Sequence, residues 1–367
     1  MMKVIVAIDS FKGCLTSAEA NQAAAEGVRR RMPWAEVVQI PVSDGGEGFL
    51  SAFQSALGGR VVEVCVQDPL MRPVAAQYLV KGDVAVIEIA KASGLTLLAP
   101  EERNPMLATS YGTGQLVADA VRCGCKHIIV GLGGSATSDC GAGMLRALLD
   151  AFAAAPVGAG KGELRVWAGI HAFEDVRFTI ATDVTNPLCG ERGAAQVFGP
   201  QKGAAPAMIP LLDARARRFA EEAARCFGYD RQDEPGAGAA GGLGYAFLQY
   251  LNAERRSGID LLLDTLHFDE QLADCSLVIT GEGAADRQTL MGKLPHGILQ
   301  RAKARGIPVW LIAGRIDDCQ TLLDAGFSRV ECINTPDLSL EEAMKPETAK
   351  RNIVRTIANI LAIPKNI

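Results

Sequence analysis

The residues best suited to chemistry lie in five loops, each at the end of an apolar run. In Asp9-Ser10-Phe11-Lys12-Gly13 a lysine stands three residues past an acid. An acid at a strand tip can bind a substrate hydroxyl, and the lysine a phosphate. Ser43-Asp44-Gly45-Gly46-Glu47-Gly48 sets two carboxylates among three glycines, more acid than a turn needs. In Gly131-Leu132-Gly133-Gly134-Ser135-Ala136-Thr137-Ser138-Asp139, hydroxyls and backbone amides can cradle phosphates. Asp183-Val184-Thr185-Asn186-Pro187 ends an apolar run with an acid, and Asn186 follows near enough to orient a hydroxyl or a magnesium-bound water. Thr280-Gly281-Glu282-Gly283 leads on to Asp286 and Gly292-Lys293, with the lysine just before a helix start, a good place to meet phosphate.

Each loop also has a structural reading. Asp9 and Ser10 can satisfy turn amides, Asp183 can make an Asx turn before Pro187, and Lys12 and Lys293 can simply be solvated. Together the loops favour function, because ligands of open α/β sheets bind at the carboxyl ends of strands. The partial GxGxxA match at Gly131–Ala136 is weak as a dinucleotide fingerprint, since no clear acidic strand end follows at the usual interval. The Walker A pattern is absent: Gly160-Lys161 and Gly292-Lys293 are both followed by the wrong residue.

The elements that must position these loops read as α/β. Lys3–Ile8 is a β-branched run, and Thr16 with Glu19 makes a capping box for the helix that follows. A second strand, Val37–Val42, precedes a helix closed by Gly58. Two strand–loop–helix units in succession predict a doubly wound parallel sheet. Val61–Val66, Ala75–Val80 and Val84–Ile89 then read as an antiparallel meander, with strands again at His127–Val130 and Phe178–Ala181. The first rhythm resumes at Leu277–Thr280, with Gly281–Lys293 as a long loop. The expected organisation is a discontinuous Rossmann-like domain, 1–66 with 255–367, and an inserted mixed-sheet α/β domain, 67–254. The active site is expected in the cleft between them.

Composition narrows the class of function. The 367 residues are 49% hydrophobic, enough for two cores, and the net charge of −5 disfavours non-specific nucleic-acid binding. No run of about 20 apolar residues is present to span a membrane, and Val4–Ile8 is too short for a secretion signal, so a cytoplasmic protein is expected. The ten cysteines form no CxxC pair and read as free thiols.

In order along the chain, the Asp9–Gly13, Ser43–Gly48, Tyr111-Gly112-Thr113-Gly114, Gly131–Asp139, Asp183–Gly190, Val197–Ala204, Gly236–Gly244 and Thr280–Gly283 blocks resemble those of the class I glycerate kinases. The resemblance implies transfer of the γ-phosphoryl group of ATP to D-glycerate, usually giving 2-phosphoglycerate, on a two-domain fold with a Rossmann-like part. On that reading ATP and Mg²⁺ take part and D-glycerate is the small-molecule partner. The candidates for the base are Asp9, Asp44, Asp183 and Asp286, of which Asp183 is preferred because it ends an apolar strand, and Asp44 or Glu282 lies near magnesium. Lys12 and Lys293 meet phosphates, and Ser135 and Thr137 bind nucleotide with the loop amides. Ser10, Gly45, Gly46, Gly133, Gly134, Asn186, Gly281 and Gly283 complete the binding set. The chain departs from the family pattern at Ala284, Ala285, Asp286 and Arg287, at Met291, and in the shorter stretch Ala153–Ala168. A nicotinamide-dependent hydroxyacid dehydrogenase would also use glycine turns and a cation for a carboxylate. A non-catalytic metabolite-binding protein is the third possibility.

Overall fold

Lys3–Ile8 forms strand β1 of the computed structural model, and both faces of the strand are covered. Val4, Val6 and Ile8 enter one apolar cluster, while Ile5 and Ala7 alternate with them and are equally buried. Burial on both faces is the condition of a strand inside a parallel sheet flanked by helices. The structure describes residues 2–40, 42, 48–153 and 171–362. Within them the other strands are β2 (Glu36–Gln39), β3 (Arg60–Gln67), β4 (Pro73–Lys81), β5 (Val84–Glu88), β6 (His127–Gly131), β7 (Arg177–Ala181), β8 (Glu254–Arg256), β9 (Cys275–Ala285), β10 (Val309–Ile316) and β11 (Arg329–Cys332). The chain divides into two units, Met1–Asp44 with Ile259–Ile367, and Gly45–Gly258.

The first unit holds a sheet in the order β11-β10-β9-β1-β2, with every neighbouring pair parallel. Counted within the unit, the strands run second, first, third, fourth, fifth. This is the flavodoxin-like branch of the doubly wound folds, not the six-stranded dinucleotide order. Strand order reverses between β1 and β9, so the crevice beyond their carboxyl ends is the natural ligand site. Side chains of the helix Ser17–Arg31 pin that edge. Asn21 Oδ1 accepts from the Ile8 amide at 2.9 Å, and its Nδ2 donates to the Ile40 carbonyl at 3.1 Å. Ser17 Oγ donates to the Ile8 carbonyl at 2.6 Å. The capping box expected at this helix is formed: the Glu19 amide donates to Thr16 Oγ1, and the Thr16 amide to Glu19 Oε2. Hydrogen bonds to its carboxylate, from the Thr16 amide first and then from the Lys350 ammonium and the Thr16 hydroxyl, lower the Glu19 pKa to about 2.

The second unit holds a six-stranded mixed sheet, β3-β4-β5-β6-β7-β8. β3, β4 and β5 are antiparallel neighbours, and β5 through β8 run parallel. The helices Tyr111–Arg122 and Ala142–Phe152 follow β5 and β6 and contribute Leu116, Val117, Met144 and Leu148 to its core. The first crossing between units falls at 44–45, ahead of residue 66. The reason is packing: β3 pairs along its whole length with β4, and the helix Phe49–Leu57 packs on β4 and β5. The second crossing follows Gly258.

A correction concerns Gly281–Lys293. β9 does not stop at Thr280 but continues to Ala285, paired with β1 as far as Gly281 and with β10 as far as Ala285. Only the segment beyond it is irregular, and it contains the short turn Arg287–Leu290. All ten cysteines are free thiols. Among the described residues no helix is long and apolar enough to cross a membrane.

Candidate functional site

At the reversal of strand order in the first unit, three chain segments carry polar side chains to one edge. The Asp9 amide donates to the Gly281 carbonyl at 2.9 Å, which continues the β1–β9 pairing one step, and Asp9 Oδ1 accepts from the Ser10 amide at 2.7 Å. Phe11 and Leu15 exchange two backbone hydrogen bonds of 2.9 Å, so residues 12–14 form a tight tip. Lys12 is exposed on that tip, without an ion pair among the described residues. Glu282, 7% exposed within β9, has both oxygens engaged. Thr289 Oγ1 donates to Oε1 at 2.6 Å, and Lys293 Nζ lies 3.2 Å from Oε2. Lys293 itself remains partly open to solvent and precedes the helix Leu294–Lys303, whose N-terminus favours anions.

These groups line a cavity of about 390 Å³. Asp9, Ser10, Lys12, Glu282, Lys293 and Arg315 supply its polar lining, and Phe11, Ile333, Leu340, Ala343 and Met344 its apolar part. Within its lining Cys14 Sγ donates to the Ala343 carbonyl at 3.9 Å. Gly283 also lines it, whereas Gly281 lies inside the sheet: a Cβ there would stand 2.4 Å from the Ile312 carbonyl oxygen. Arg287 pairs with Asp318 at 2.6 Å, while Asp286 Oδ1 accepts from the Gln288 amide and caps the turn.

Glu282, the acid expected near magnesium, has one partner on each oxygen, the Lys293 ammonium on one and the Thr289 hydroxyl on the other. No three His, Cys, Asp or Glu side chains among the described residues converge as a metal site. Asp44, Gly45 and Gly46 lie outside the described residues.

In the second unit the parallel strands β5 to β8 end along one edge. The loop after β6 is fastened at many points. Its Ala136 amide donates to the Ser93 carbonyl at 2.8 Å, and its Gly134 carbonyl accepts from the Leu95 amide at 2.9 Å. Ser135 and Thr137, expected to face nucleotide, are 4% and 0% exposed. Both meet the buried Lys202, whose Nζ lies 2.8 Å from Ser135 Oγ and 2.6 Å from the Thr137 carbonyl. Burial pushes the Lys202 pKa down to about 7, with Asp139 acting in the opposite sense. Asp139 caps the helix Ala142–Phe152, accepting from the amides of Gly141 and Gly143 and from Ser110. Only Gly133 and Gly134 of the loop's candidates keep a solvent-facing surface.

Asp183 lies two residues beyond β7 and is half-buried. Its neighbour Thr182 is tied to β8 through the Arg256 carbonyl at 3.0 Å and Arg255 Nη1 at 3.2 Å, which fixes the strand end. Asn186 is bonded to two other segments. Its Nδ2 donates to the Arg192 carbonyl at 2.8 Å, and its own carbonyl accepts from the Gly238 amide.

The model of the glycerate kinase family matches residues 4–365, the greater part of both units. The chain belongs to the glycerate kinase family. It is 41% identical to the glycerate kinase of Bacillus subtilis (strain 168), over 98% of this chain and 97% of that one. It is 42% identical to the glycerate 2-kinase of Escherichia coli (strain K12), over 98% and 97%. A crystal structure from Salmonella typhimurium LT2, whose own assignment as glycerate kinase 2 is provisional, superposes with a TM-score of 0.82 at 40% identity, covering 98% of this chain and 97% of that one.

Within this glycerate kinase fold, two charged residues escaped the sequence reading. Lys202 is the first. Its signal was a lysine in the otherwise apolar and glycine-rich block Val197–Ala204. Glu88 is the second: it ends β5 at 2% exposure, and its Oε2 accepts from the Leu50 amide at 3.1 Å, in the first turn of the helix Phe49–Leu57. A carboxylate inside the aliphatic run Val84–Ile89 was its signal.

Proposed function

We propose that this member of the glycerate kinase family phosphorylates D-glycerate with ATP, giving 2-phosphoglycerate. The observation that carries the reading is the cationic rim at the ends of β1 and β9, where Lys12 stands unpaired among the described residues and Lys293 is only partly neutralised by Glu282. Mg²⁺ would enter with the nucleotide and supply charge neutralisation, as is usual for a cation that keeps few protein ligands.

Phosphoryl transfer asks a protein for positioning and charge neutralisation more than for covalent chemistry. In this reading Lys12 and Lys293 offset the charge on the transferred group. Glu282, bonded to Thr289 and Lys293, sets the position of that second ammonium. The half-buried carboxylate of Asp183 accepts the proton of the glycerate hydroxyl as its oxygen bonds to the γ-phosphorus and the bond to the ADP oxygen breaks. Ser10 and the amides of Gly133, Gly134 and Gly283 are assigned to binding.

The test is ADP release by the full chain in the presence of MgATP, with and without D-glycerate, and ³¹P NMR of the product. Glycerate-dependent ADP release and a 2-phosphoglycerate resonance are expected. Folded protein that releases no ADP on adding glycerate, or that reduces NAD instead, would overturn the reading.

A further inference from the structure

We propose that the cavity at the ends of β1, β9 and β10 takes the nucleoside and phosphates of ATP, and that glycerate binds elsewhere. The inference rests on the kinase reading above and assigns one substrate to one unit of the fold. Two independent observations carry it.

The first is the cavity's size and lining. About 390 Å³ lies within the range of pockets that hold drug-sized ligands, and a small hydroxy acid would fill only part of it. Glycerate is polar at every carbon and has no use for an apolar lining. A purine has two apolar faces and an edge of hydrogen-bonding groups. Phe11, Ile333, Leu340, Ala343 and Met344 offer such faces a surface. Leu340 is 78% exposed and Met344 40%, an apolar rim that a flat ring would cover. The same cavity carries Lys12, Lys293 and Arg315, three cations suited to a polyphosphate. It lies at the reversal of strand order, where doubly wound sheets bind nucleotides.

The second observation removes the competing site. The glycine-rich loop after β6 has its hydroxyls turned inward: Ser135 Oγ is taken by Lys202, and Thr137 is fully buried. That loop offers no apolar face for a base, because the residues it leaves open to solvent are Gly133, Gly134 and, in part, Asp139.

The experiment uses the full chain and an ADP analogue with a fluorophore on the ribose, titrated without glycerate, together with steady-state kinetics of wild type, Leu340→Asp and Met344→Asp. Both changes replace exposed residues, so folding should survive, as circular dichroism will check. Each variant is expected to raise the analogue Kd and the KM for ATP by about tenfold or more, with the KM for glycerate held within about twofold. A rise in the glycerate KM with unchanged ATP and analogue affinities would overturn the assignment while leaving the kinase reading intact. Tight analogue binding by a wild type that shows no glycerate-dependent turnover would do the reverse.

Cys14 supplies a measurement that needs no variant. It lines the cavity half-buried, and burial raises its pKa, so alkylation is run at alkaline pH. ADP is expected to slow modification of Cys14, followed by peptide mass spectrometry, and glycerate to leave it unchanged. Protection by glycerate and none by ADP would overturn the assignment.

Discussion

Lys12 and Asp183 are the side chains on which the proposed chemistry turns, and each can be tested alone. Lys12 is exposed on a two-bond hairpin tip and holds up no part of the fold. Lys12→Met should therefore leave the thermal midpoint unchanged while lowering kcat by about 10²-fold, the scale seen when one preorganised partner of transition-state charge is lost. Steady-state kinetics and a melting curve check both halves, and wild-type turnover would return Lys12 to the solvent. Asp183→Asn should cut kcat by about 10²–10⁴, as expected for a positioned base, while the ADP analogue still binds. If the variant keeps most of its activity, the base must be sought among other carboxylates. The sequence singles both out because each stands in a loop at the end of an apolar run. Ser135 and Thr137 lie buried for a physical reason that the sequence does not display. A hydroxyl beside glycine looks like a phosphate cradle until its partner is known, and Lys202 lies 67 positions away from Ser135. Glu88 was missed because the helix end it serves is 38 residues upstream.

At the scale of elements, local signals were read correctly and distant ones were not. The Thr16–Glu19 capping box needs only residues within one turn, and it forms as expected. The Gly-Glu-Gly of β9 was taken for a loop because glycine weakens strands in general. Here it is required by spacing: β9 is flanked on both sides, and the Ile312 carbonyl leaves no room for a methyl group at Gly281. Gly281→Ala should destabilise the first unit by about 1–3 kcal/mol, the usual cost of overpacking a tight interior. Urea denaturation measures it. A midpoint equal to wild type would mean that β9 and β10 separate freely enough to admit the extra carbon. The change should also depress activity, since Glu282 follows directly and aims at Lys293.

For the whole molecule, the recurrence of strand–loop–helix units at both ends of the chain already suggested one sheet built from both, and β1 lies between β2 and β9. Strand order was beyond reach, because the β1–β9 register joins Val4 to Leu277, and nothing local encodes that choice. A buried charge is likewise a property of the assembled fold, and Lys202 makes it measurable. Its folded pKa, about 7, lies below the ordinary 10.5. Below about pH 7 both folded and unfolded chains hold the proton, and the cost of burying the ammonium is at its full value. Between that point and 10.5 the unfolded chain binds a proton that the folded chain does not, so stability from this group rises with pH. The slope approaches about 1.4 kcal/mol per pH unit in mid-window. Lys202→Met should abolish it, so the unfolding free energy of wild type minus that of the variant should climb from pH 7 toward pH 9.5. Denaturant titrations at a series of pH values give that difference directly. A flat difference would mean that the lysine stays protonated in the folded state, its charge carried by Asp139 and the carbonyl of Thr137.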